Sequence, residues 1–364
     1  MIGYPINCGY HSFHVVQGTP AGWLPYCQRS GGTRMPQLSR RAFASALPLG
    51  LIGGSLLGGD LIGGALAPAL AATQDTAQTP VSVTPLAQIR IGRFTVTALT
   101  DGYADMPYDY FPGRAAAEVE QAAIAQFTAR PSGVRFLFNQ YLVDDGERRI
   151  LIDAGPAGSI GQTGELPQAL SALGLQRDQI DAVIVTHMHQ DHMGGLIVGG
   201  KNNYPKAELY IDRRDVTHWT DPAKRSGAPD YLQTSFQMAG EVVRLYPKLQ
   251  AIDGEREIVR GVSIVDLTGH TPGHIGVRVE DGGQSLIMVS DMIFPVVHPG
   301  ATDVFFLFEQ DPAAAKAMRD RFFPRAASEG ALIAATHMPF PGLGRVVADR
   351  GQMRWQVADW ALQN

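Results

Sequence analysis

The chain has 364 residues, 45% of them apolar and 18% charged, a balance that allows a sizeable packed core and excludes wholesale disorder. Its formal charge is −5; residues 1–71 carry four arginines (Arg29, Arg34, Arg40, Arg41) against Asp60, a balance of +3, so the remainder stands at −8, which argues against a nucleic-acid or anionic-membrane partner. The only cysteines, Cys8 and Cys27, precede that remainder, which therefore has no disulfide, thiolate metal ligand or cysteine nucleophile.

In chain order, Ser39-Arg40-Arg41-Ala42-Phe43-Ala44 leads into a Gly- and Leu-rich run ending near Leu70, and Ala69-Leu70-Ala71 offers a small-x-small cleavage site. That order predicts a cleaved export leader over residues 1–71, directing the protein to a bacterial periplasm or to secretion. The arginine pair beside Phe43 resembles a twin-arginine signal. Asp60 and the glycines make the run a poor permanent span, so no stable membrane insertion is expected after cleavage. Met35 would give a conventionally short charged segment if translation began there. Residues 72–86, rich in Thr, Gln and Pro, read as a linker, and 87–364 as one domain.

Within that domain, Phe136 to Val143 and Arg149 to Asp153 flank the turn Asp144-Asp145-Gly146-Glu147 as a hairpin. Gln168 to Leu173 reads as a short helix, Ile180 to Val185 as a buried strand, and Leu209 to Ile211 as a strand entering a helix over Arg213 to Trp219. Asp230 to Leu249 is mostly helical in character, followed by strands at Val262 to Leu267 and Leu286 to Ser290. Asp311-Pro312 is a good N-cap and first helical residue for a helix to about Arg321, and Leu332 to Ala335 closes the series as a last strand. This alternation is α/β, with a strand-rich half followed by a similar half.

Four of these strands run into a potential ligand: Val185 before Thr186-His187, Leu267 before Thr268-Gly269-His270, Ser290 before Asp291, and Ala335 before Thr336-His337. Sites on α/β scaffolds form at such strand ends, where loops turn side chains toward one crevice. The densest is THMHQDHMGG, Thr186 to Gly195, a His-x-His-x-Asp-His pattern in a chain with only 10 histidines. His187 and His189, two residues apart on a turn, can reach one cation while Asp191 and His192 point to another. Imidazole and carboxylate suit Zn²⁺, Fe²⁺ or Mn²⁺.

Together with GHTPGH (Gly269 to His274), Ser290-Asp291, ATHMPFPG (Ala335 to Gly342) and ILIDAG (Ile150 to Gly155), this motif resembles the metallo-β-lactamase superfamily in order and spacing. The resemblance covers about Ile89 to Val347 and implies a four-layer αββα sandwich with the site at one edge of its two sheets. It implies that His187, His189 and His270 hold one metal, Asp191, His192 and His337 a second, and that Asp291 bridges them. Asp153 is expected to orient the site from behind, with a hydrogen-bonded turn an equally good role for it; His274 reads as structural support behind the ligands. His218 and His298 match no ligand position.

Two divalent ions sharing Asp291, most simply zinc, imply a hydrolase with a bridging hydroxide as nucleophile and Asp191 as a proton acceptor or relay. The redox branch of this fold typically has glutamate where this chain has His189, and carries a flavin domain for which no residues remain. The stretches IGRFTVTALTDGYADMP (Ile91 to Pro107) and ATHMPFPGLGRV (Ala335 to Val346), with the helix ending at Trp219, are similar to the methyl parathion hydrolase branch and its exported relatives. That similarity implies cleavage of aryl phosphotriesters, lactones or aryl esters, with Trp219, Phe294 and Ile160 lining a pocket for a small apolar substrate; core packing is the competing role for these three. Phe294 and Ile160 replace differently shaped apolar side chains of that branch. β-Lactam or glutathione-thioester cleavage is the main competing activity, and non-catalytic metal binding a further one. The aromatic run Val304 to Phe308 can edge the cleft, cover the core or form a homodimer contact.

Overall fold

A computed structural model describes residues 84–358. The expected leader, with Cys8, Cys27 and Met35, and most of the expected linker lie outside the described residues. Among the described residues no helix is long and apolar enough to cross a membrane.

The first sheet runs in sequence order through β1 (Ala87–Ile91), β2 (Phe94–Met106), β3 (Gly133–Asp144), β4 (Arg149–Ile152), β5 (Ala182–Ile184), β6 (Glu208–Asp212) and β7 (Leu249–Ile252), with two-residue strands at Ala129–Arg130 and Gln162–Thr163 pairing to its margin. Pairing is antiparallel from β1 to β4 and parallel from β4 to β7, so helical crossovers are required only in the second part. Those crossovers are α2 (Leu166–Ala172), α3 (Gln190–Met193), α4 (Arg213–Trp219), α5 (Pro222–Gly227) and α6 (Asp230–Leu245); α1 (Ala116–Ala125) lies between β2 and β3 in the chain. The second sheet again follows the chain: β8 (Glu257–Val259), β9 (Val262–Asp266), β10 (Ile275–Asp281), β11 (Gln284–Met288), β12 (Leu332–Ala334), β13 (Leu343–Asp349) and β14 (Gln352–Val357). Its one parallel pair, β11 with β12, is joined through α7 (Pro312–Glu329).

Side-chain alternation decides the layers, because successive residues of a strand face opposite sides. In β4, Leu151 packs with Leu170, Val183, Leu209, Trp219 and Phe236 under the helices, whereas Ile150 and Ile152 face the other way. That other face meets Val262, Ile264, Val277, Leu286 and Met288 of the second sheet. The far face of the second sheet, through Ile287, Val289 and Ile333, receives Met318, Phe323 and Ala326 of α7. The result is helix, sheet, sheet, helix, the αββα sandwich expected of the sequence.

Three element ends depart from expectation. The helix over residues 230–249 stops at Leu245 and the chain re-enters the sheet at Leu249, because Pro247 disfavours helical geometry in the residue before it. α7 does not end near Arg321 but continues to Glu329 with Pro324 in its interior; burial of Phe323 and Ala326 on the sheet offsets the lost backbone hydrogen bond. Its start is as expected, with Asp311 accepting from the Ala314 amide. Leu332–Ala334 is not the last strand, since β13 and β14 follow as an antiparallel pair at the sheet margin.

The two sheets are tied together near the end of β12. Strand β3 pairs with the loop after β12 through Asn139 N to Thr336 O at 3.0 Å, and Asn139 Nδ2 donates to Met338 O at 2.8 Å. Buried Tyr141 places its hydroxyl 3.2 Å from Ala335 O and 3.1 Å from Pro341 O, with burial pushing the phenol far above its ordinary range. Tyr141→Phe is expected to lower unfolding free energy by about 1 kcal/mol in urea denaturation, the usual worth of such a bond. An unchanged midpoint would show that this hydroxyl does not couple the sheets.

Candidate metal centre

The four strand ends converge as the ligand pattern requires. After β5 the chain turns through Thr186-His187-Met188-His189 into the single turn α3, which carries Asp191 and His192. Met188 points into the core at 0% exposure, so the histidines on either side of it face the opposite direction. Gly195 is required where the chain leaves the motif, because a Cβ there would lie 2.0 Å from Ala154 O. That contact seats the motif on the turn after β4, along with Ala154 N to His192 O and Gly195 N to Gly155 O, both 2.8 Å.

Two donor groups result. His187, His189, His270 and Asp291 present one atom each within 4.8 Å of one another, and Asp191, His192 and His337 do the same. In the first group His189 Nδ1 lies 2.9 Å from His187 Nε2 and 3.1 Å from His270 Nε2, and Asp291 Oδ2 lies 3.2 Å from His270 Nε2 and 3.8 Å from His187 Nε2. In the second, Asp291 Oδ1 lies 3.1 Å from His192 Nε2 and 3.2 Å from His337 Nε2, while Asp191 Oδ2 is 3.4 Å and 3.5 Å from the same two nitrogens. Asp291 thus turns one oxygen to each group.

These spacings fit a cation. A single imidazole proton can satisfy one of the nitrogen–nitrogen contacts around His189 at a time, whereas a tetrahedral ion bound at ~2.0–2.1 Å places its donors roughly 3.3 Å apart. Burial pushes His187 and His189 well down toward the neutral, ligating form. At His192 burial acts the same way but is overcome by Asp291, Asp191 and Asp153, which push its pKa well up. Burial would raise Asp291, yet the surrounding imidazoles hold its carboxyl well below the usual carboxylate range. A divalent ion would replace the protons that this cluster of carboxylates draws onto its imidazoles.

The supports behind the ligands are specific. Asp153, at positive φ (61°), accepts from Thr186 N at 2.7 Å, Thr186 Oγ1 at 2.9 Å and His192 Nδ1 at 2.8 Å, so it combines the turn and the orienting role. Ser290, at φ 48°, shares the Thr186 hydroxyl at 2.9 Å, placing a strained residue immediately before Asp291. His337 Nδ1 donates to Leu137 O at 2.9 Å. His274 is fully buried and donates through Nδ1 to Leu267 O at 3.1 Å; burial and the neighbouring His270 hold its pKa down to about 3. Its ring centroid is 5.2 Å from that of His187, beside the ligands and outside both donor groups. His218 and His298 also lie outside both groups.

One support has no signal in the local sequence. Asp215 on α4, 0% exposed, accepts from Met188 N at 2.8 Å and from Gly273 N at 2.6 Å, so one carboxylate joins the first motif to the Gly269–His274 loop. Burial raises its pKa to about 6 against the effect of these bonds.

A cavity of about 330 Å³ opens onto the donors, lined by Asp105, Met106, Pro107, Tyr110, Ile160, Phe306 and Phe308 together with His189, Asp191 and Asp291. Of the three expected pocket residues only Ile160 is on this wall. Trp219 is buried behind His189, ring centroids 5.1 Å apart, and packs on Phe236 in the helix-side core. Phe294 is buried in a stack between Phe136 and His337, at 5.4 and 5.5 Å. Both back ligands instead of facing the cavity. The run Val304 to Phe308 divides its roles: Val304 and Phe306 cover a small aromatic core with Phe111 and Phe136, and Phe306 and Phe308 also edge the cleft.

Residues 136–337, more than half of the chain, match the model of the metallo-beta-lactamase superfamily. Among curated relatives, a beta-lactamase-like protein 2 homolog of Drosophila melanogaster is 29% identical over 40% of this chain and 44% of its own length. An N-acyl homoserine lactonase of Agrobacterium fabrum is 27% identical over 37% and 48%. The chain therefore spans under half the length of these two relatives. Among solved structures, a hydrolase of the beta-lactamase superfamily, AbOPH, superposes with TM-score 0.70 at 26% identity, over 76% of this chain and 99% of that one. The dizinc quorum-quenching lactonase AidC superposes with TM-score 0.69 at 24% identity, over 76% and 98%, a likeness of fold. With the family match, the αββα layers and the two donor groups in agreement, the chain belongs to the metallo-beta-lactamase superfamily.

Proposed function

We propose that this protein is a dinuclear metal-dependent hydrolase of apolar esters, lactones or aryl phosphotriesters. The observation that carries the reading is Asp291, whose two oxygens face two separate donor groups at the base of an apolar-walled cavity. His187, His189 and His270 would hold one ion, Asp191, His192 and His337 the other, with Asp291 shared; the all-His/Asp donor set suits zinc. Bound there, such ions supply an activated water and polarise the scissile carbonyl or phosphoryl oxygen.

The chain's own residues supply the rest. Asp191 borders the cavity beside His192 and His337, where its carboxylate can take a proton from the attacking water or pass one to the leaving oxygen. Met106, Pro107, Ile160, Phe306 and Phe308 form a wall that favours an apolar arm and keeps bulk water away. Among the described residues no lysine or arginine lines the cavity, which favours a neutral substrate over the carboxylates of a glutathione thioester. The lactonase among the sequence relatives supports placing lactones first within this class. The expected leader over residues 1–71 makes export part of the same proposal.

The direct test assays the purified protein with a lactone, an aryl ester, a phosphotriester and a β-lactam, before and after chelation. Turnover of at least one of the first three is expected, lost on metal removal and restored by zinc; turnover indifferent to chelation sinks the reading. Phe308→Ala is expected to lower kcat/KM for substrates with a long apolar arm by about 10- to 100-fold, the worth of one buried phenyl, without changing metal content. Wild-type kcat/KM for long-arm substrates in that variant would remove Phe308 from the substrate wall.

A further inference from the structure

Buried beside the first donor group is an ion pair that the proposed chemistry leaves unused. Arg319 of α7 is 1% exposed and its guanidinium donates to Glu309, whose side chain is equally buried. The same guanidinium donates to two backbone carbonyls at the bridging ligand, Met292 O from Nε at 3.1 Å and Asp291 O from Nη2 at 3.3 Å. Glu309 Oε1 in turn lies 4.0 Å from His270 Nδ1. The backbone follows the same path: Gln310 N donates to His270 O at 2.8 Å and Asp311 N to Gly269 O at 3.3 Å, so the segment carrying Glu309 clasps the His270 loop.

Stability alone is a poor reason for this pair. Two buried charges cost several kcal/mol each in desolvation, and apolar replacements of similar volume are often neutral or stabilising. The other Nε2-directed ligands show what the pair can do. His187 Nδ1 lies 3.2 Å from Thr186 Oγ1, His192 Nδ1 is 2.8 Å from Asp153, and His337 Nδ1 is 2.9 Å from Leu137 O. Each contact fixes which ring nitrogen carries the proton and leaves Nε2 free as donor. His270 also directs Nε2 at Asp291 Oδ2, and its Nδ1 has no hydrogen-bond partner within the described residues; Glu309 is the carboxylate facing it.

We propose that Glu309 and Arg319 are positioning residues of the metal centre. At 4.0 Å the Glu309 carboxylate faces the Nδ1 edge of His270 and by its charge favours the tautomer with the proton on Nδ1, which presents Nε2 as a lone-pair donor, and Arg319 ties Glu309 to the backbone of Asp291. The pair acts on the group built from His187, His189, His270 and Asp291, since Asp153 already serves His192 in the other. This inference rests on the dinuclear reading.

The test measures stepwise zinc dissociation by competition with a chromophoric chelator, on the full chain, for wild type, Glu309→Gln and the double variant Glu309→Leu/Arg319→Met. Glu309→Gln is expected to weaken one of two zinc constants by about 10- to 100-fold while the other stays within about threefold. The double variant removes both buried charges, so its metal-free melting temperature should equal or exceed that of wild type while the same zinc constant remains weakened. Wild-type zinc constants in the folded double variant would make the pair structural only and overturn the inference, as would equal weakening of both ions. A wild-type protein that binds fewer than two zinc ions would instead refute the dinuclear reading itself.

Discussion

Four imidazoles press on the two oxygens of one buried carboxylate, and the rest of the structure is arranged to keep them there. Asp291 Oδ1 faces His192 and His337, and Oδ2 faces His187 and His270, all within 3.8 Å. So many polar groups at almost no exposure would destabilise a core unless they had partners, and the cations proposed for the two donor groups would supply partners to the atoms that converge on Asp291. The arrangement also explains why the donors come from four strand ends. Here the donors on the two sides of Asp291 come from both sheets, which meet along one edge.

Holding that edge together requires long-range ties, and these are polar where the layers are apolar. Tyr141 and Asn139 reach from the first sheet to the loop bearing His337, Asp215 joins the His187–His189 turn to the loop bearing His270, and Arg319 grips the carbonyl of Asp291 from α7. Positive φ at Ser290, at one of those strand ends, and at Asp153, at the neighbouring end of β4, places backbone strain beside the donors. Packing of Leu151, Ile150 and Ile287 into separate layers supplies the stability against which these local costs are set.

The donors were legible in the sequence because coordination imposes a local code. Two histidines two apart on a turn, followed by Asp-His, have few purposes other than metal binding, and the remaining donors each follow an apolar strand. The αββα layering was legible mainly through the family resemblance those motifs carry; strand alternation alone gave the α/β class. What stayed hidden lacks such a code. A wall residue and a core residue are both apolar, so Ile160 on the cavity and Trp219 and Phe294 behind the ligands look alike until the chain is folded. Asp215, Glu309 and Arg319 act over long sequence separations, and an aspartate in the first turn of a helix or an arginine within one reads as an ordinary solvated residue. β13 and β14 follow the segment that supplies the last donor; the stretch Ala335 to Val346 runs into β13, and no ligand motif after it marks a further pair of strands.

Whether Asp291 is shared between two cation sites can be read from anomalous X-ray scattering by crystals of the zinc-loaded protein. Two zinc peaks are expected, one against Oδ2 among His187, His189 and His270, the other against Oδ1 among Asp191, His192 and His337. A single peak at full zinc loading, or two peaks of which only one touches Asp291, would contradict a shared Asp291.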